Sequence, residues 1–193
     1  MNLTNHFLIA MPGIRDSLFA GSVVYVCQHH ANAGPMGLII NKPADVNVAG
    51  LFRKLDLPLK RMELAEQPVL CGGPVQSDRG FVLHDPILVA GGAEDEFAYA
   101  AMLRVPGGLE MTSSRDVLEA ISIGAGPRRV CIALGCASWA RGQLEAEIGG
   151  NHWLTVPADF AVMFDTPLAQ RYDRALALLG VQALALMPDA GHA

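Results

Sequence analysis

Histidines and glutamates near predicted strand ends are the residues of this sequence whose types could support acid–base or metal chemistry. His84 is followed by Asp85 at the end of a predicted strand, where it could act as a base or a ligand. Glu145 and Glu147 lie two residues apart, so on a helix their side chains diverge by about 200° and cannot pair as acid and base. No histidine spacing matches a metal motif such as H-E-x-x-H. The sequence therefore assigns no catalytic residue, no metal ligand and no cofactor.

Two glycine-rich segments follow predicted strands and could in principle bind a phosphate. The first, Gly72-Gly73-Pro74, matches neither G-x-G-x-x-G nor G-x-x-x-x-G-K-[ST], and Pro74 has no N–H to donate. The second, residues 135–142, leads towards a predicted helix and contains Ser138. Because no G-x-S-x-G elbow is present, nucleophilic catalysis by Ser138 or Cys71 is not expected. A tight turn is the simpler interpretation of both segments.

These residues must be positioned by short strands and a few helices. Apolar runs bounded by Gly, Pro, Asn or His predict strands at residues 6–11, 22–28, 36–41, 68–71, 80–84, 129–134, 153–156, 161–164 and 181–187. Several of these runs are continuously apolar, so we expect both faces of the sheet to be covered. The turn-rich segment between residues 28 and 36 predicts a β-hairpin. If Cys131 and Cys136 share one strand, their odd spacing places them on opposite faces.

Helices are predicted at three places where apolar residues recur at helical spacing between start and stop signals. The first helix starts after Asn47 and stops before Pro58, and the second starts at Ser113 or Ser114 and stops at Gly124. The third starts at Thr166 with Pro167 and stops at Gly180. A short amphipathic helix is also predicted within residues 142–150, with Leu144 and Ile148 on its buried face.

Residues 85–109 form the one ambiguous segment. Glycine and proline bracket it, so we expect a loop or short helix that projects from the sheet as an excursion. No repeat or linker marks a domain boundary, and strands and helices do not alternate as βαβ units. The prediction is a single α+β domain covering residues 1–193.

Composition describes a chain that folds around its own core. Of its 193 residues, 51% are hydrophobic and 17% are charged, which excludes intrinsic disorder. The formal net charge of -5 argues against general binding to nucleic acid. The densest basic spots, residues 53–54 with 60–61 and residues 128–129, are each too small for such a surface unless folding gathers them.

The four cysteines and the N-terminal residues indicate in which cellular compartment the protein is found. The cysteines form no C-x-x-C pair, and buried reduced thiols are the favoured interpretation. The first residues lack the basic and apolar regions of a signal peptide, and no apolar run reaches the roughly 20 residues that span a bilayer. We therefore expect a cytoplasmic protein that does not enter the membrane.

Several sequence blocks together resemble the YqgE/AlgH family of bacterial proteins. The blocks are HFLIAMP (6–12) with Asp16 and Phe19, SV (22–23) with Tyr25, MGLIINKP (36–43), GGPV (72–75), GFVLH (80–84), TSSRDVL (112–118), GQLE (142–145) with EI (147–148), Asn151 with WL (153–154), and FD (164–165). They run in order over most of the chain, and the resemblance is specific in combination. The sequence departs from the family pattern Gly-Tyr-Ala-Gly-Trp by carrying Cys136 and Ser138. A role that depends on the hydroxyl of the family's tyrosine is therefore not expected in this chain.

The resemblance implies a fold more clearly than an activity. It implies an α+β fold whose mixed sheet curls towards a pseudo-barrel with a few flanking helices, a cytoplasmic location, and no established enzymatic activity or cofactor. One branch of the family is described as a transcriptional regulator of alginate production. The present sequence contains no helix-turn-helix pattern that would support direct DNA binding.

Three hypotheses of function follow. The first is a non-enzymatic binding or regulatory protein with a protein or small-molecule partner, and its oligomeric state is left open. Its expected surface consists of polar and glycine residues at strand ends: Asn41, Lys42, Pro43, Gly72, Gly73, Pro74, His84, Ser114, Trp139, Gln143, Glu145 and Glu147. The alternative is a hydrolase or nucleotide-processing enzyme that uses His84 with Glu145 or Glu147. The third, direct regulation through nucleic acid, requires strongly salt-dependent binding.

Overall fold

The computed structural model describes residues 1–30, 34–87 and 98–181 together with Leu186, and ten strands lie within these ranges. The strands are β1 (His6–Ala10), β2 (Val23–Gln28), β3 (Met36–Ile39), β4 (Pro43–Asn47), β5 (Pro68–Cys71), β6 (Val75–His84), β7 (Met102–Val105), β8 (Leu109–Thr112), β9 (Val130–Ser138) and β10 (Trp153–Pro157). The helices are α1 (Val48–Lys54), α2 (Arg115–Ser122), α3 (Gln143–Gly149), α4 (Phe160–Phe164) and α5 (Arg171–Ala177), with 3-10 turns at Met62–Leu64 and Leu168–Gln170.

The strands join one curled sheet in the order β10-β1-β2-β3-β9-β6-β8-β7, with β5 beside β9 and β4 beside β5. The pair β5–β9 is parallel, and the other described pairs are antiparallel. The sheet is therefore mixed, and its curl makes a half-barrel. The predicted α+β fold with a curled mixed sheet is confirmed, and so is the hairpin formed by β2 and β3.

Alternation along the strands buries both faces of the sheet, as the continuous apolar runs predicted. Phe7 and Ile9 of β1 point to the inner core, which α4 and α5 cover. Leu8 and Ala10 point to the opposite, outer face and pack in one cluster with α3. A second outer cluster lies beneath α1 and α2. All three clusters are built mainly from Val, Ile, Leu and Phe, so burial of apolar area from water is their main stabilising contribution.

A bulge in β9 decides which side chains reach the outer face at its end. Gly135 adopts a left-handed backbone with a φ of 72°, and the pairing of β9 with β6 shifts register in the same region. An extra residue in a strand shifts the alternation of side chains by one position. Cys131 and Cys136 therefore both contact the inner core, and the predicted placement on opposite faces is wrong. The same shift directs Trp139, just past the strand, to the outer face.

Two segments differ from the predicted elements because short apolar or polar runs do not specify their own conformation. Residues 161–164 were predicted as a strand but lie in helix α4, whose first turn is capped by the side chain of Asp159. A short buried helix and a short buried strand have the same apolar pattern. Strand β4 was not predicted, because its polar residues pair only with β5. Strands β6 and β9 are also longer than expected.

The segment at residues 85–109 contains a strand where a loop or short helix was expected. Strand β7 pairs with β8 and forms an edge of the sheet. The turn between them contains Gly107 and Gly108, which adopt φ values of 109° and 116° that favour glycine. The expectation is therefore wrong for residues 102–105, and residues 88–97 lie outside the described ranges.

The predicted helices are found, with one corrected start. Asn47 caps α1 by accepting a hydrogen bond from the N–H of Gly50 at 2.8 Å. Thr166 was expected to cap the last helix, but its hydroxyl donates to the carbonyl of Ala161 in α4. Helix α5 begins only at Arg171, after a 3-10 turn. Most of the strand predicted at 181–187 lies outside the described residues.

Candidate binding site

The two tryptophans of the chain meet on the outer face of the sheet. Trp139 follows the end of β9, and its backbone N–H donates to the carbonyl of Pro35 at 3.0 Å. Trp153 begins β10, where it pairs with Ala10 of β1. Both side chains are buried, with 6% and 4% of their surface exposed. Strand ends from distant parts of the sequence therefore bring the two indoles together.

Three aromatic rings pack against one another at this place, and two of the three pairs are edge to face. The centroids of Trp139 and Trp153 lie 6.0 Å apart at an interplanar angle of 82°. Phe19 packs edge to face against Trp153 at 5.8 Å and is tilted by 43° against Trp139 at 6.3 Å. Edge-to-face pairs at these distances each add roughly 0.5–1.5 kcal/mol beyond burial of their area. The three rings form a fixed apolar floor.

A carboxylate holds both indoles in place. Oε2 of Glu147 accepts the indole N–H of Trp139 at 2.9 Å and that of Trp153 at 2.8 Å. Oε1 of the same carboxylate accepts a hydrogen bond from the side-chain amide of Gln143 at 2.9 Å. Gln143 in turn accepts from the backbone N–H of Ala140, just before α3. Both oxygens of Glu147 are thus committed to orienting side chains.

A pocket of about 360 Å³ opens above this floor, and we call it the tryptophan pocket. Its apolar lining comes mainly from the three rings and Ile14, and its rim is polar and exposed. The lining residues are Gly13, Ile14, Arg15, Asp16, Phe19, Pro74, Ser138, Trp139, Gln143, Glu147, His152 and Trp153. An apolar floor with a few polar groups around it is the usual composition of a ligand pocket, and the volume lies within the usual range.

The loop between β1 and β2 closes one side of the pocket and is fixed by side chains. The carboxylate of Asp16 accepts the backbone N–H groups of Leu18 and Phe19 at 2.9 and 3.0 Å. Asn41 accepts from the N–H of Val23 and donates to the carbonyl of Gly21, both at 2.8 Å. These bonds hold the phenyl ring of Phe19 against the indoles. Lys42 adds a hydrogen bond from its ammonium group to the carbonyl of Ser17 at 3.0 Å.

Glu145 lies on the same helix as Glu147 but contacts a different partner. Its Oε1 lies 3.0 Å from Nε2 of His29, a buried ring. The other ring nitrogen of His29 accepts the N–H of Leu3, so a neutral ring carries its proton on Nε2 and donates it to Glu145. A hydrogen bond from its own backbone N–H and the nearby His29 lower the pKa of Glu145. The pair ties α3 to the N-terminal segment.

His84 lies in a separate buried network. Its Nδ1 lies 2.8 Å from the carbonyl of Asp85, so it carries the proton, and its Nε2 accepts the hydroxyl of Thr112 at 2.8 Å. The ring has no exposed surface, and burial lowers the pKa of His84 below its ordinary value of 6.5. Glu110, 3% exposed, lies 3.9 Å from the same ring and pairs with Arg104. The network joins β6, β7 and β8.

His84 and the two glutamates are at opposite ends of β9. His84 pairs with Val130 at the beginning of that strand, whereas α3 follows Ser138 at its end. Eight residues of strand correspond to roughly 25 Å. The geometry therefore does not bring His84 together with Glu145 or Glu147.

The remaining residues of the expected surface take structural positions. Gly72 and Gly73 are buried, and a Cβ on Gly73 would lie 2.2 Å from the backbone of Cys136. Pro43 begins β4 and pairs with Leu70. Ser114 precedes α2, where its hydroxyl donates to Asp116. Of the twelve residues, Pro74, Trp139, Gln143 and Glu147 line one pocket, and Asn41 and Lys42 hold its loop.

Several residues that complete the pocket were not predicted from the sequence. Trp153, His152, Arg15 and Ile14 were not among the expected surface residues. The presence of only two tryptophans in the chain was the one signal that could have paired Trp153 with Trp139. Pairing of β10 with β1 brings these residues to the pocket, and that pairing is not visible in local sequence.

The described residues hold neither a cluster of metal ligands nor a membrane-spanning helix. Within residues 1–30, 34–87 and 98–181, no group of three or more His, Cys, Asp or Glu side chains could hold a metal ion. No helix in the described part of the chain is long and apolar enough to cross a bilayer.

Comparison with known proteins identifies the family of this chain. The model of the AlgH-like family, DUF179, matches residues 7–184. The chain belongs to the AlgH-like family. An AlgH-like relative from Polaromonas, a "UPF0301 protein", is 59% identical over 193 residues, covering all of this chain and 96% of its own. A UPF0301 protein from Variovorax paradoxus is 58% identical with the same coverage.

Solved structures extend the comparison to the fold. The solution structure of AlgH from Pseudomonas aeruginosa matches with a TM-score of 0.77 and 44% identity, over all of this chain and 97% of that one. The crystal structure of DIP2367 from Corynebacterium diphtheriae matches with a TM-score of 0.66 at 19% identity, over 90% of this chain and 85% of that one. The second similarity concerns the fold alone. The predicted family resemblance is thus confirmed for this AlgH-like chain.

Proposed function

We propose that this AlgH-like protein is a non-enzymatic binding protein whose tryptophan pocket takes one aromatic or branched apolar group. The observation that carries the proposal is the fixed floor of Phe19, Trp139 and Trp153 beneath a polar, exposed rim. A preorganised floor lowers the cost of ordering side chains when a ligand binds.

The carboxylates near the pocket favour binding over catalysis. A general base needs a lone pair that can reach a substrate proton. Both oxygens of Glu147 instead accept hydrogen bonds from Trp139, Trp153 and Gln143. Glu145 is paired with His29. Glu147 thus supports the architecture of the pocket, and Glu145, which does not line the pocket, ties α3 to the N-terminal segment.

The chemistry of the lining defines the expected ligand. The rings offer edges and faces to an apolar group, and the rim offers a hydroxyl, an imidazole and charges of both signs from Arg15 and Asp16. The volume accommodates one large side chain or a molecule of similar size. A partner protein could insert an aromatic side chain into the tryptophan pocket, and this protein would then act as a regulatory subunit. This form of the proposal agrees with the description of one branch of the family as a regulator. We place this activity in the cytoplasm, since the four cysteines are free.

Intrinsic fluorescence tests the proposal directly, because the only two tryptophans of the chain form the pocket. The probe is N-acetyl-L-phenylalaninamide, which carries an aromatic ring and two amides. It does not absorb at the wavelengths that selectively excite indole. We expect a saturable change in tryptophan emission at concentrations up to about 10 mM, the affinity range of a small apolar ligand. The two indole N–H signals in an NMR spectrum should shift at the same concentrations.

A pair of serine substitutions localises the response. Ser138→Tyr places a ring at the pocket rim, whereas Ser77→Tyr makes the same change at an exposed position of β6 outside the pocket. We expect Ser138→Tyr to abolish the fluorescence response and Ser77→Tyr to leave it unchanged. No saturable change with the unsubstituted protein, or equal responses of the two variants, would contradict the proposal.

A further inference from the structure

Folding gathers four arginines around a second cleft, which has a volume of about 390 Å³. Arg61, Arg128 and Arg129 belong to basic spots that are small in sequence, and Arg171 comes from α5. They meet where the start of β9 passes the beginning of β5 and the end of α4. We call this feature the arginine cleft.

Backbone carbonyls hold two of these guanidinium groups in position. Arg61, with 13% of its side chain exposed, donates to the carbonyls of Pro127 and Arg128. Arg171 donates to the carbonyls of Thr166 and Ile40. A carbonyl satisfies an N–H group but does not neutralise the charge of the guanidinium. Arg171 is therefore held in position with a charge that can act on a ligand, whereas Arg61 also pairs with a carboxylate.

The remaining charges leave the cleft positive. The side chain of Arg128 is exposed and donates no hydrogen bond to a described residue. Arg129 is paired with Asp85 at 2.7 Å. Glu63 and Asp165 are the two acidic residues that line the cleft, and Glu63 pairs with Arg61 at 2.8 Å. The four arginines thus meet three carboxylates, those of Glu63, Asp165 and Asp85, and one positive charge is left over.

An apolar wall faces the arginines. It is formed by side chains of α4, β5 and β9 together with the 3-10 turns: Leu64, Leu70, Ile132, Met163, Phe164 and Leu168. The guanidinium carbon of Arg129 lies 4.8 Å from the centre of the Phe164 ring, which orients that cation by a cation–π contact. The cleft therefore combines a cationic end with surface suited to a ring or an alkyl group.

We propose that the arginine cleft binds a small organic phosphate. Guanidinium groups approaching from several elements match an oxyanion with several acceptor oxygens, and Arg pairs with phosphate more specifically than Lys does. The apolar wall accommodates the organic part of the ligand. This site is separate from the tryptophan pocket, with which it shares no lining residue.

Calorimetric titration at low ionic strength tests the proposal with four probes: AMP, pyrophosphate, adenosine and sulfate. We expect AMP and pyrophosphate to bind with dissociation constants below about 1 mM. Adenosine lacks the phosphate and should not bind measurably. Raising the salt concentration should weaken binding of both phosphates, since the arginines are partly exposed to solvent.

Variants locate the site by opposite effects. Arg128→Gln should weaken AMP binding about tenfold, because one charge-assisted hydrogen bond is lost. Arg141→Gln is the matched control, since Arg141 is exposed but does not line the cleft, and its effect should stay within about twofold. Asp165→Asn removes a carboxylate from the cleft and should tighten binding about threefold. A gain in affinity cannot arise from misfolding.

Several results would overturn the proposal. The first is the absence of saturable heat with AMP or pyrophosphate. The second is an equal effect of the Arg128 and Arg141 substitutions on AMP binding, and the third is sulfate binding as tightly as either phosphate. A single-stranded DNA oligonucleotide that binds more tightly than AMP and competes with it would replace a small-ligand site by a nucleic-acid surface. Circular dichroism and thermal unfolding of each variant confirm that the compared proteins are folded.

Discussion

Replacing Glu147 by alanine is the sharpest test of how the tryptophan pocket is held together. The substitution removes the single carboxylate that accepts hydrogen bonds from Trp139, Trp153 and Gln143. The amide of Gln143 is exposed and can bond to water instead. The two indole N–H groups belong to buried rings and lose their acceptor.

The expected magnitude follows from these two donors. A buried donor left without a partner costs about 1–3 kcal/mol. Because the adjacent pocket admits water, we expect the lower part of that range, and about 2–4 kcal/mol for the pair. Glu147→Gln keeps one acceptor oxygen for the indoles and should cost about 1 kcal/mol. Helix propensity changes little, since both Glu and Ala favour helices.

Urea unfolding measures the free energy of each variant. Tryptophan emission and far-ultraviolet circular dichroism should give coincident transitions. The slope of the free energy of unfolding against urea concentration should be the same for the variants and the unsubstituted protein. Glu119→Ala is the matched control in α2, because Glu119 and its partner Arg115 are 55% and 57% exposed. That control should lie within about 0.5 kcal/mol of the unsubstituted protein.

The reasoning is refuted if Glu147→Ala costs no more than Glu119→Ala. The same conclusion follows if Glu147→Gln is as destabilising as Glu147→Ala, because the retained oxygen would then contribute nothing.

Three further predictions concern the scaffold. Gly73→Ala should lower the free energy of unfolding by about 2 kcal/mol or more relative to Gly80→Ala, because only the first Cβ meets backbone, at Cys136; equal urea midpoints would contradict this. In the unsubstituted protein, the lowered pKa keeps the ring of His84 neutral in the folded state, while the unfolded chain takes up a proton below pH 6.5. The stability of that protein therefore falls as the pH falls. His84→Asn removes this titration and should flatten the pH dependence of stability below pH 6.5. Urea midpoints at about pH 7 and 5.5 measure it, and an unchanged difference between them would count against it. Asn47→Ala should cost about 1 kcal/mol in thermal unfolding through loss of the N-cap, and no loss would show that the cap contributes little.

Local sequence was sufficient for elements that carry their own signals. Asn47 predicts the start of α1, because a side-chain acceptor and the following apolar spacing act within one turn. It was insufficient for α4 and β7. A run such as residues 160–164 is apolar in either conformation, and its neighbours select the helix. Strand β7 forms because β8 supplies its hydrogen bonds.

The candidate site shows the same division. The sequence selected Trp139, Gln143 and Glu147 among the expected surface residues. Trp153 joins them only because β10 pairs with β1. The bulge at Gly135 turns Trp139 to the outer face, and this depends on a close approach to the backbone of Gly73.

The sequence by itself determined the family, the α+β class, the burial of both sheet faces and most helices, since these depend on composition, periodicity and ordered motifs. Only the tertiary structure decided which polar residues share a site. It separated His84 from the two glutamates along β9, joined two tryptophans to one carboxylate, and gathered four arginines from three distant segments. The physical reason is that strand pairing sets these distances, and strand pairing is non-local.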